Sequence, residues 1–353
     1  MAAMVVEPCT TQALPELFEK FADWYRFNPR LRERNFFDWQ FKNAPTRLSD
    51  DEYDFLILRN DQGAITGCLG FAGFEFKCDG RLQTGAWTHN WYAQEQREGG
   101  LALLLRFFEI VDNRFMLRFN RNAARVFALL KIPMRAAVPR WWAVTDVNIA
   151  TDLFRPDAEQ RAAFARSADA MAQAEAAGDV TAVTRFNPAD EFTLAHLGDG
   201  IRLPRRTGGY LNWRYFDIPR HRYRAIRSEQ GFAVYRVEAV MGTDHNVLRI
   251  LEWTFGKESD SALALIRSET AAEKPLFLDF SCTCPRAARA LEKSGFVRDG
   301  ETTKPLPDLF RPLNYSGGYA LGIDLPPHRT TRAVDFASWY ITTGDSDVDR
   351  VKL

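Results

Sequence analysis

The chain lacks an excess of charge of either sign. Lys plus Arg number 46 and Asp plus Glu number 46, so the formal net charge is zero. Proteins that grip a phosphate backbone carry surplus Lys and Arg, so nucleic acid is not an expected partner, although a local basic patch stays open. Cysteine is scarce. Cys9, Cys68, Cys78, Cys282 and Cys284 form no regular framework, which argues against a disulfide scaffold and for a reducing, cytoplasmic location. Long apolar runs are missing. The longest, Leu101 to Val111, is interrupted by Arg106 and Glu109 and is too short to span a bilayer, so no membrane partner is expected. The segment Met1 to Cys9 has neither a basic start nor an apolar stretch of the secretory kind. Metal-ligand spacing is missing as well. Cys282-x-Cys284 has no second Cys/His pair nearby, and His196, His221, His245 and His328 are scattered, so no metal is expected.

Aromatics, in contrast, are abundant at 13% of 353 residues, which favours filled cores and flat ligand walls. The length suggests two domains. A weak internal repeat supports that division. Phe37-Asp38-Trp39-Gln40-Phe41-Lys42-Asn43-Ala44-Pro45 and Leu211-Asn212-Trp213-Arg214-Tyr215-Phe216-Asp217-Ile218-Pro219 share the pattern apolar-x-Trp-x-aromatic-x-x-x-Pro. Each is followed by a strand-rich region and then by a helix with Ala-Ala-Arg, at 123–125 and at 287–289. Two units this large, in the same order, indicate duplicated domains and not a short-period solenoid. The polar, Ala- and Glu-rich stretch 157–178 reads as a surface helix or linker between them. The tail from Asp335 reads as loosely held.

In the first half, periodicity predicts strands over 53–58, 64–76, 82–93 and 115–119, with helices over 99–111 and 123–130. In the second, it predicts strands over 232–240, 247–255 and 275–280, with helices over 261–270 and 285–293. The fold class expected is mixed α/β. The first long helix follows Gln94-Glu95-Gln96-Arg97-Glu98-Gly99-Gly100-Leu101-Ala102. A strand, a glycine turn with positive φ and a helix mouth form an anion site, and a diphosphate is its natural occupant. The pattern is neither a Walker loop nor the dinucleotide fingerprint.

This loop resembles the coenzyme A loop of the GNAT superfamily of acyltransferases, Gln/Arg-x-x-Gly-x-Gly/Ala, here Arg97-x-x-Gly100-x-Ala102. A second motif, Asn-x-x-Ala-x-x-x-Tyr-x-x-x-Gly-Phe, is matched in part by Asn120, Ala123, Phe127, Lys131 and Ile132. In the second half its counterparts are Cys284, Ala287, Leu291, Gly295 and Phe296. The resemblance covers most of 35–140 and 208–325. It implies two GNAT-like domains in tandem: 1–150 binding acyl-CoA, a helical linker 151–205, and a degenerate domain 206–353 contributing to acceptor binding. The donor, acetyl-CoA or a short hydroxyacyl-CoA, would contact Trp91, Tyr92, Ala93, Arg97, Glu98, Gly99, Gly100, Leu101, Ala102 and Asn120. The family's Tyr, which protonates the departing thiolate, is replaced by Phe127.

His89 and Asn90 lie where the acyl group should sit. An imidazole suits proton acceptance at neutral pH, so His89 is a candidate base; its alternative role is packing among Trp87, Trp91 and Tyr92. Glu252 is a second candidate base, or else the partner of a neighbouring Arg. Asn90 would orient the substrate. Arginines cluster around the second Trp motif, and Arg205, Arg206, Trp213 and Arg214 are candidate acceptor contacts, since guanidinium forks suit phosphate. The alternative is a set of ion pairs. The Leu-Asn-Trp-Arg-Tyr segment resembles bacterial sugar N-acyltransferases, implying acyl transfer to the amine of a nucleotide-linked amino sugar in polysaccharide biosynthesis. Two other readings are a non-catalytic GNAT-pair sensor or scaffold and a FemAB-like aminoacyl transferase.

Overall fold

The structure, a computed structural model, describes residues 4–26, 28–94, 98–174, 179–220, 222–300, 304–310, 313–314, 318–325 and 334–346. Two mixed sheets carry the fold. The first contains β1 (Val5–Pro8), β2 (Phe55–Arg59), β3 (Ile65–Cys78), β4 (Arg81–Ala93), β5 (Arg114–Leu117) and β6 (Met134–Arg135). The second contains β7 (Arg140–Val144), β8 (Thr181–Val183), β9 (Arg224–Arg227), β10 (Phe232–Ala239), β11 (Asn246–Trp253), β12 (Pro275–Ser281) and β13 (Val297–Arg298). A late strand, β14 (Leu321–Asp324), returns to the first sheet. The orders are β1-β2-β3-β4-β5-β14-β6 and β13-β7-β12-β11-β10-β9-β8.

The same construction occurs in both. An antiparallel hairpin (β3–β4, β10–β11) is followed by a helix, a strand parallel to the hairpin's second strand, and another helix. These helices are α3 (Glu98–Ile110) and α4 (Arg121–Leu129) in the first unit. In the second they are α8 (Ser259–Glu269) and α9 (Pro285–Lys293). The predicted strands and helices of both halves therefore stand, within a few residues. Strand alternation explains the layering. Leu56 and Leu58 pack with Leu103, Leu104 and Phe107 of α3, whereas Phe55 and Ile57 face the opposite way. There they meet α1 (Leu14–Trp24) and α2 (Arg34–Phe41) through Leu17, Phe21, Phe37 and Phe41.

The chain crosses between sheets. β7 pairs with β12, β14 pairs with β5, and Leu203–Pro204 pairs with β3. After α5 (Val147–Phe154), the stretch read as a surface helix or linker contains α6 (Ala158–Gln173), whose Ala163, Phe164, Ser167 and Met171 are buried. The tail is not loose over 339–346. Trp339, Tyr340, Ile341, Thr342, Thr343 and Asp345 are buried, and Thr342 and Asp345 close a capping box. Its polar composition is compatible with burial because Tyr340, Thr342 and Asp345 find partners inside.

The two units meet at the repeated Trp motif. Trp39 on α2 and Trp213, in the helical turn that follows α7 (Gly208–Leu211), lie in one apolar cluster and stack with ring centroids 5.2 Å apart.

Candidate functional site

β4 and β5 pair only at Ala86↔Arg114 and Trp87↔Phe115. β4 then runs on to Ala93, so its last residues leave β5. A bulge marks the departure. Cys68 faces Tyr92 and Gly70 faces His89, so Asn90 and Trp91 together oppose Leu69 alone. Asn90 takes φ 49°, a conformation Asn tolerates better than most residues. A bulge adds local twist and re-aims side chains.

The bulge sends the candidate residues to different faces. His89, only 5% exposed, packs edge-on against Phe41 of α2, on the side where the two units meet. Tyr92 stacks on Trp24 of α1 at 4.5 Å. Trp91 turns the other way. Its Nε1 donates to the Gly100 carbonyl at 3.1 Å, and its ring stacks on Phe127 of α4 at 5.7 Å. The site end of β4 is thus tied to both helices of this face by one half-buried indole.

Gly99 and Gly100 act differently from the expectation. Neither is among the positive-φ residues. Both are buried and turned to the sheet: a Cβ on Gly99 would stand 2.5 Å from Leu58 Cδ2, and one on Gly100 would sit 3.7 Å from Trp91 and Ala93. They permit close docking of helix on sheet, and the positive φ sits at Asn90 instead. Glu98, Leu101 and Ala102 form the first turn of α3. Leu101 is 38% exposed. Arg97 lies outside the described residues. Asn120 is the N-cap of α4, its Oδ1 accepting from Ala123 N at 2.9 Å.

A thioester carrier could be held at three points. These are the first turn of α3, the half-buried face of Trp91, and the backbone edge of β4 past Trp87. Phe127 is buried beneath Trp91 and has no polar atom to offer a leaving thiolate. Among the described residues no group of three His, Cys, Asp or Glu side chains could hold a metal ion. None of their helices is long and apolar enough to cross a membrane.

The second group of candidates lies at the joint between the units and is spent on internal pairing. Arg206 is fully buried and bridges Glu252 at 3.0 Å and Asp345 at 2.7 Å. Tyr215 donates to Glu252 at 2.9 Å, and Tyr340 Oη lies 3.3 Å from its other oxygen. Burial pushes the Glu252 carboxyl up to about 7, with Arg206 opposing and Asp345 reinforcing the shift. Arg214 donates to the carbonyls of Gly344 and Ser346. Arg205 joins Glu75 and Glu191, and its bond to Glu191, with that of Lys77, holds Glu191 down at about 2. Trp213 is buried against Trp39. Of these candidates only Arg205 borders open space, a cavity of about 360 Å³ shared with Arg47, Glu75, Thr207 and Tyr210.

In the second unit the tail fills the place where the parallel strands end. Tyr340 Oη donates to the carbonyl of Trp253 on β11 and receives its N–H, both at 3.0 Å. Thr283, past β12, donates its N–H to Ile341 O at 2.9 Å. Sequence reasoning missed this plug. The signal was present as Thr342-x-x-Asp345, a capping-box spacing.

A scan of the sequence against protein-family models gave no match, and a search of curated proteins gave none either. Solved structures do match. A conserved protein of Enterococcus faecalis V583, described as a probable N-acyltransferase, superposes with TM-score 0.55 at 10% identity, over 92% of this chain and 73% of that one. A GCN5-related N-acetyltransferase of Anabaena variabilis superposes with TM-score 0.54 at 10% identity, over 90% and 72%. At such identity the likeness is one of fold. The chain has the GNAT fold, built as two tandem mixed α/β units.

Proposed function

We propose that this protein is an acyl-CoA-dependent N-acyltransferase whose first unit takes the donor. The observation that carries this reading is the parting of β4 from β5 after Trp87↔Phe115, with a bulge at Asn90 and helix α3 opening directly beyond. Such a gap exposes a strand edge to an extended chain and aims a helix mouth at its phosphates. The descriptions of the two solved neighbours support the same chemistry.

The thioester supplies the acyl group when bound. The amine nitrogen forms the new C–N bond, the C–S bond breaks, and the sulfur leaves as thiolate. A thiol pKa of about 8.5 lets it leave without the acid that Phe127 cannot provide. His89, buried on the joint side of β4, would accept the ammonium proton. We propose a small-molecule amine as acceptor, with nucleotide-linked amino sugars the first class to assay.

Acetyl-CoA binding by calorimetry, followed by thiol release with a panel of amines, tests the reading. Leu101→Glu places a carboxylate at the exposed first turn of α3 and should weaken acetyl-CoA more than about tenfold without unfolding the chain. Unchanged affinity would sink the donor site. A sensor is the second reading, favoured by the Trp91–Phe127 stack and the missing phenol. Tight binding with no release for any amine would select it.

A further inference from the structure

One sizeable cavity lies away from α3. It lies in the second unit, open to solvent, with about 820 Å³ between the loop after β11 and helix α9. That volume is in the range of small-molecule sites. We propose that it binds a nucleoside diphosphate, through contacts independent of the acyl-donor site proposed above.

One wall is cationic. Arg286, Arg289 and Lys293 stand at i, i+3 and i+7 on α9, hence on one helix face, and Lys257 joins them from the loop. Among the described residues Arg289, Lys293 and Lys257 make no ion pair. Arg286 is oriented by neutral carbonyls, Leu197 O at 3.1 Å and Asp199 O at 3.4 Å, so its charge is also unanswered. The arginines of the joint differ, since Arg205 and Arg206 are matched by carboxylates. A row of uncompensated Arg and Lys facing a cavity suits a phosphate chain.

The facing wall is acidic. Glu258 and Asp260 flank the start of α8, where they already answer the positive end of the helix. Glu258 accepts from Ser228 and Asp260 from Ser294. The anion therefore belongs on α9, and the carboxylates of Glu258 and Glu229 are left to accept from ligand hydroxyls. Phe192, Phe255 and His196 add flat surface. His196 lies over Gly256, where a Cβ would be 3.3 Å from its Cδ2. A ligand with a phosphate chain at one end, hydroxyls beyond it and a flat ring matches this lining.

Calorimetric titration of the full chain with ADP, GDP, UDP and CDP tests the assignment. At least one should bind, and the double variant Arg289→Glu/Lys293→Glu should weaken it by about tenfold or more. Both side chains are exposed, so the melting temperature should stay unchanged. Leu101→Glu, in the other unit, should leave that affinity within about twofold. The proposal is overturned if none of the four binds at about 1 mM. It is equally overturned if the α9 variant binds like wild type, or if Leu101→Glu abolishes binding, which would place the nucleotide at α3.

Discussion

Trp39 and Trp213, 174 positions apart, each donate their indole N–H to the other's backbone carbonyl, at 2.8 and 3.0 Å. They stack at 23° between ring planes. The exchange is isologous: what residue i does to j, j does to i, as in a twofold dimer. The repeat seen in the sequence is therefore the two faces of an internal joint. Replacing either Trp by Phe removes a donor from a buried carbonyl and should cost about 1–3 kcal/mol in urea unfolding. Because the two bonds and the stack act together, a double-mutant cycle should give a coupling above about 0.5 kcal/mol. Strict additivity would show that the pair is not a unit.

Lys131 and Gly295 occupy matching turns. Each follows its helix with positive φ, 57° and 94°. The next residue then donates back to Phe127 O in one case and Leu291 O in the other, at 2.9 and 3.0 Å. The first unit has thus kept the turn and lost the glycine. Lys131→Gly relieves a left-handed backbone and should stabilise by about 0.5–1 kcal/mol. Gly295→Ala should do the reverse and more, since its Cβ would lie 2.6 Å from that of Ala170. Melting temperatures moving in the same direction for both would contradict the equivalence.

Much of this architecture was legible because it rests on periodicity and on two repeated anchors. Alternating and helical apolar patterns placed β3, β4, α3, β10, β11 and α9, and Trp39 and Trp213 marked the repeat, though not that the two meet. The rest depended on partners distant in sequence. β14 is four residues long, too short to announce which sheet it joins. Arg206, Glu252 and Asp345 carry no pattern in common, and only folding brings them within 3.0 Å. The candidate site was legible as a segment, His89 to Ala102, but not as a geometry. A bulge that turns Trp91 away from His89 leaves no mark except an Asn at the strained position.

Gly99 and Gly100 are adjacent but should respond differently. A methyl group on Gly99 meets Leu58 at 2.5 Å and must force the start of α3 off the sheet, at about 1–3 kcal/mol. One on Gly100 meets only ordinary contacts at 3.7 Å, and Ala is the better helix former by up to about 1 kcal/mol. Chemical denaturation of Gly99→Ala and Gly100→Ala should give opposite signs. Equal losses would mean that the pair is needed for something other than docking.

The Arg206–Glu252–Asp345 cluster should make stability fall as pH rises from about 4.5 to about 7, the span between the ordinary and the folded Glu252 values. Burial raises both carboxyls, so the folded chain holds protons that the unfolded chain has released over that window. The unfolded state then binds fewer protons, and the slope of unfolding free energy against pH is negative. Above about 7 the Glu252 contribution is constant. Glu252→Gln keeps the shape and removes the titration, leaving Arg206 paired with Asp345. Its stability should decline less than that of wild type between pH 5 and pH 7. Arg206→Met removes the one cation that both acids share and leaves two buried carboxylates facing each other. A loss of about 3–5 kcal/mol at neutral pH is expected, with a steeper decline on the way there. Parallel pH profiles for wild type and Glu252→Gln would mean that Glu252 is already ionised at pH 5, and that Arg206 outweighs burial at this joint.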